Sequence, residues 1–124
     1  MSDVTPPTDY SPGEPQTNYL DVNVAAGTGT EVQSAPGANK RIAVMEVFLS
    51  TNGTKAVYLH SNGVDSTSTK NWCWRQIGNT VNHLYRVNGE PLFVCGANEA
   101  LWYDQSSTGD IELDVRTKIL DQSA

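Results

Sequence analysis

Between Ile111 and Ile119 the sequence alternates without a break: Ile111, Leu113, Val115, Thr117 and Ile119 are interleaved with Glu112, Asp114, Arg116 and Lys118. Only an extended chain puts every second side chain on one side, so this segment predicts a β-strand with one dry face and one wet face. A helix would spread the same residues around its axis. A single strand cannot cover its own apolar face, so the rest of the chain has to supply more strands.

The rest of the chain reads that way. Leu20, Val22 and Val24 alternate with Asp21 and Asn23. Short strands are predicted over Thr30–Ala35, Ala56–His60, Asn71–Ile77, Thr80–Val87, Pro91–Cys95 and Glu99–Gln105. Lys40–Ser50 is the most apolar stretch; read as an unbroken strand, it places Ala43, Met45, Val47 and Leu49 on one face, and Ile42, Val44 and Phe48 with Glu46 on the other. A strand apolar on both sides is either central in a sandwich or half exposed to a partner. The pairs Asn52-Gly53 and Asn88-Gly89 predict hairpins that return the chain antiparallel to the strand before them. About eight strands at this spacing make an all-β fold, a β-sandwich or jelly-roll-like domain spanning 17–124. With 124 residues there is material for one core and not two.

Residues 1–16 differ in kind, holding four of the six prolines (Pro6, Pro7, Pro12, Pro15) and almost no aliphatic side chains. Such a stretch buries too little to order itself and is expected to be an extended arm. Two readings stand side by side: a frayed terminus, or an arm that orders on a neighbouring subunit with Val4 and Tyr10 as anchors.

The net charge of −6, with only one adjacent basic pair (Lys40-Arg41), argues against nucleic acid, which needs concentrated positive charge. No apolar run is long enough for a membrane helix, and the N-terminus lacks the basic start and apolar core of an export signal, so assembly in the cytoplasm is expected. In that compartment Cys73 and Cys95 are expected as free thiols more often than as a bridge. His60 and His83 each stand without a second ligand at metal spacing, and no nucleophile elbow, calcium loop or phosphate cradle is present, so neither cofactor nor enzymatic activity is expected. Trp72, Trp74 and Trp102, with Tyr58, Tyr85 and Tyr103, remain. Such aromatics fill a core or a subunit interface, or line a sheet face as a platform for sugars; the platform reading makes a carbohydrate-binding module of a tail fibre or secreted enzyme the alternative function.

The turn at Gly37 and Asn39 leading into the basic-aliphatic strand to Val44, the hairpin expected at Ser50–Val57, and the turn Asn98-Glu99-Ala100-Leu101 before an alternating C-terminal strand together resemble small virion proteins of tailed bacteriophages. Among these the chain is most similar to capsid decoration (cement) proteins. The resemblance implies a non-catalytic homotrimer on the capsid exterior that binds and stabilises the major capsid protein. The apolar strand residues Ile42, Val44 and Phe48, with the arm, are the expected contacts. The Trp72-Cys73-Trp74 strand and the long arm depart from the pattern.

Overall fold

A computed structural model describes residues 14–62 and 70–121. Within them the alternation becomes nine strands: β1 (Glu14–Val24), β2 (Thr30–Gln33), β3 (Lys40–Thr51), β4 (Lys55–Ser61), β5 (Lys70–Gln76), β6 (Val81–Tyr85), β7 (Phe93–Val94), β8 (Leu101–Gln105) and β9 (Gly109–Asp121).

The pairing explains how they are ordered in space. Glu14 lies opposite Ile119 and Val24 opposite Gly109, joining β1 to β9. Inside that pair Thr30 faces Tyr103, joining β2 to β8. Further in, Val47 faces Leu84 and Ala43 faces Val94, so β6 and β7 share one edge of β3. Innermost, Val57 faces Trp74, joining β4 to β5. All are antiparallel and each is nested within the last, as in one long hairpin. Folding that ribbon over itself places β1-β9-β3-β6, with β7 beside β3, in a first sheet and β2-β8-β4-β5 in a second. New antiparallel pairs, β3 with β9 and β4 with β8, close each sheet. This is the strand order of a jelly roll, an all-β sandwich of two antiparallel sheets.

The core lies between them. Ile111, Leu113 and Val115 of β9 are at most 2% exposed and meet Val57, Leu59, Leu101 and Tyr103 of the second sheet in one cluster. Each such side chain contributes on the order of 2 kcal/mol relative to its exposed state. The core is also cross-tied by three glutamines, all from the second sheet. Gln33 accepts from Thr117 Oγ1 at 2.6 Å and donates to Gln16 Oε1 at 3.0 Å. Gln76 donates to the Leu49 carbonyl at 3.0 Å, and Gln105 to the Val24 carbonyl at 3.1 Å. The primary amide has donors and acceptors enough to satisfy both sheets at once.

Three expectations are corrected. Neither Asn-Gly turn makes a hairpin: β3 and β4 fall in different sheets, and β6 and β7 both pair with β3 rather than with each other. The type I′ hairpin turn that Asn-Gly favours needs φ > 0 at both central residues, and type II′ needs it at the first. Here only Gly53 (φ 85°) and Gly89 (φ 79°) are left-handed, while Asn52 and Asn88 are not. Second, β1 already begins at Glu14, so the last residues assigned to the arm belong to the sandwich. Pro15 is tolerated because, among the described residues, β1 is an edge strand, where a missing N–H disrupts least. Third, a bulge between Val44 and Glu46 shifts the phase of β3 midway. The core side is therefore Ile42 and Val44 before the bulge and Val47 and Leu49 after it.

Candidate functional site

The bulge decides the fate of the expected contact residues. Ile42 and Val44 are 0% exposed in the core and offer nothing to a partner. Phe48, beyond the bulge, points outward. Val4 and Tyr10 lie outside the described residues. The three tryptophans do not form one platform: Trp72 and Trp74 pack inward on the core cluster, whereas Trp102 alternates with the buried Leu101 and Tyr103 and faces the other way. Trp74 is tied down further, its Nε1 donating to Gln76 Oε1 at 3.0 Å. Cys73 is exposed and Cys95 buried, both as free thiols. Burial pushes the Cys95 thiol up to about 11.

The outer face of the first sheet carries the chemistry instead. The registers lay its side chains out in rows that cross four strands. Thr17, Arg116, Glu46 and Tyr85 form one row; Tyr19, Asp114, Phe48 and His83 form the next; Asp21, Glu112, Ser50 and Val81 form a third. On this grid the Arg116 guanidinium sits 5.0 Å over the Phe48 ring. Phe48 stacks on His83 with centroids 4.0 Å apart and planes 11° from parallel, and His83 meets Tyr85 at 4.6 Å. Glu46 clamps the middle of this column, with Oε2 2.7 Å from His83 Nε2 and Oε1 3.8 Å from Arg116. At the β1 end, Tyr19 is held above the usual tyrosine range, first by desolvation and then by the carboxylates of Glu112, Asp21 and Asp114.

At the other end the sheet is interrupted. Between β6 and β7 the chain leaves the β3 edge, turns with Gly89 N–H donating to the Arg86 carbonyl at 3.1 Å, and returns when Leu92 N–H reaches the Val44 carbonyl at 2.7 Å. This detour and the β3 bulge flank an open hollow of about 280 Å³ lined by Met45, Glu46, His83, Tyr85, Arg86 and Glu90. Along the same edge strand and the turns flanking it, Ile77, Val81, Tyr85 and Val87 are 53%, 68%, 52% and 93% exposed.

The column and hollow can hold a ring flat and offer donors and acceptors beside it. Among the described residues no three His, Cys, Asp or Glu side chains gather to hold a metal ion. In the sequence His83 stands without a second ligand nearby, and Glu46, Arg86 and Glu90 sit in no motif. No local pattern marks them, because only the β3–β6 register sets His83 opposite Phe48. The turns at Gly37 and Asn98 meet in space: Gly37 N–H donates to Asn98 Oδ1 at 2.9 Å, and Asn98 N–H to the Lys40 carbonyl at 2.7 Å.

The chain matches no protein-family model and no curated protein. Among solved structures, one described as Bacillus endospore appendages, a novel family of disulfide-linked pili, superposes with a TM-score of 0.48 at 10% identity, over 96% of this chain and 98% of that one. The fold assignment rests on the strand order above.

Proposed function

We propose that this protein is a non-catalytic structural module that docks onto a larger protein assembly, as a capsid decoration protein of a tailed bacteriophage. On this reading it binds the major capsid protein from the virion exterior, as a homotrimer. The observation that carries it is the edge of the first sheet. There, among the described residues, β6 ends the strand order with no strand on its outer side, and Ile77, Val81 and Val87 stand exposed on it and on its flanking turns. An unpaired edge strand flanked by large apolar side chains is a template for association, which isolated domains normally blunt with charge or cover. Its retention here supports a partner that covers it.

The test is a virion carrying Val81→Asp and Val87→Asp in the full-length chain, with copy number read from a protein gel of purified particles. Both side chains are exposed, so the isolated variant keeps its thermal midpoint, and occupancy falls roughly tenfold or more, the equivalent of one hot-spot contact. Unchanged occupancy would remove the β6 edge from docking; wild-type protein missing from virions would remove the proposal itself.

A further inference from the structure

We propose that the hollow between the β3 bulge and the 86–90 turn is a binding site for one neutral six-membered sugar ring. This stands apart from the docking reading, since it concerns a small ligand and a separate set of side chains.

The site is made by two departures from a regular sheet that coincide. The bulge between Val44 and Glu46 re-aims the middle of β3, and β6 breaks from the β3 edge directly beside it. Bulges of this kind recur next to functional sites, where they redirect a side chain. Here the redirected residue is Glu46.

The hollow has the elements sugar recognition uses. Tyr85 supplies a ring: one side is covered by His83 at 4.6 Å, yet the residue is 52% exposed, so much of the remaining ring surface is open. The C–H face of a pyranose is apolar and packs on such a ring, while its hydroxyls point sideways to polar groups. Those groups are present as Glu46, Arg86 and Glu90. The first two are also held in place. Glu46 is fixed by His83 and by Arg116 behind it. Arg86 lies 5.6 Å over the Trp72 ring and reaches the Leu92 carbonyl at 3.4 Å. At Glu90 only the backbone is fixed, its N–H donating to Asn88 Oδ1 at 3.1 Å, and the exposed carboxylate swings in to meet the ligand. Groups held before the ligand arrives lower the entropic cost of binding.

Charge selects the ligand class. Glu46 and Glu90 are offset by Arg86 and by Arg116 against Glu46, so neither an anion nor a cation is favoured over a neutral polyhydroxyl. A volume of about 280 Å³ lies just under the roughly 300–1,000 Å³ of ordinary ligand pockets and suits nothing larger than a single ring. An open site this small predicts millimolar affinity, raised only when many copies act together.

The experiment is an amide-shift titration of the full-length 15N-labelled chain with the methyl glycosides of glucose, galactose, mannose and N-acetylglucosamine, and separately with glucuronate and lysine amide. At least one neutral glycoside is expected to shift amides at 45–46 and 83–90 with a millimolar Kd. Tyr85→Ala should weaken it more than tenfold, Tyr85→Phe should preserve it because the ring remains, and Val81→Asp should leave it unchanged. The proposal is overturned if no neutral glycoside moves these residues, if only a charged probe does, if shifts gather around Trp102, or if Tyr85→Ala binds like the parent.

Discussion

Replacing Gln76 by methionine tests whether the cross-ties between the sheets hold the sandwich together. Gln76 is 0% exposed. Its Nε2 donates to the carbonyls of Leu49 and Thr80, each at 3.0 Å, and its Oε1 accepts from Trp74 Nε1 at 3.0 Å and Asn82 Nδ2 at 2.9 Å. Methionine keeps the length and nearly the volume, so no cavity opens and the loss is that of these four short bonds, a fifth to the Ile77 carbonyl being too long, at 3.5 Å, to add much. The Leu49 bond is buried, and an orphaned buried carbonyl costs about 1–3 kcal/mol. The other three are partly reachable by water and cost roughly 0.5 kcal/mol each. The expected loss is about 2.5–4.5 kcal/mol, a large share of the roughly 5–15 kcal/mol that holds an ordinary domain together. Urea unfolding followed by tryptophan fluorescence measures it, with Trp74 as a built-in reporter beside the substitution. A thermal midpoint lower by roughly 10–20 °C should accompany it. If Gln76→Met falls within about 0.5 kcal/mol of the parent, as exposed positions do, the glutamine ties are incidental and the apolar core alone sustains the fold.

Further outcomes follow from burial and turn geometry. Because burial holds the Cys95 thiol at about 11 against an ordinary value of 9.0, the folded state keeps a proton that the unfolded state releases. The stability this confers is full below about pH 9 and is lost, at roughly 1.4 kcal/mol per pH unit, as pH rises towards 11. Urea unfolding at pH 8 and pH 10 should show a smaller loss in Cys95→Ala than in the parent, and equal losses would refute the assignment. Tyr103, also raised by burial, enters at higher pH. A Cβ at Gly78 would lie 2.5–2.8 Å from the Gly53 backbone, so Gly78→Ala should cost about 2 kcal/mol or more. Gly89→Ala, with open space but φ 79°, should cost about 1 kcal/mol. A reversed ranking in urea unfolding would mean that the turns at 53 and 78 do not touch.

The sequence by itself determined what each segment is. The alternation from Ile111 to Ile119 had to be a strand, and it is the centre of the first sheet, with Ile111, Leu113, Val115 and Thr117 buried. Leu20 to Val24 was legible for the same reason: a period of two is a local property of the backbone, written in neighbouring residues. The strands expected over Thr30–Ala35 and Asn71–Ile77 end sooner, at Gln33 and Gln76. Which strands pair was not legible. Asn52-Gly53 says that the chain turns, but whether the next strand lies beside the last or crosses to the other sheet depends on partners far along the chain, such as β9, which already occupies one side of β3.

The candidate site depended on that missing information entirely. The bulge at Met45 leaves no mark in a continuous apolar run, yet it sent Ile42 and Val44 into the core and turned Phe48 outward. Tyr85, His83 and Glu46 come from strands separated by dozens of residues, and their column exists only in the β3–β6 register. Hydrophobic periodicity is felt within a few residues, so sequence alone settles it. Register and proximity come from closing backbone hydrogen bonds between distant segments, which only the folded chain decides.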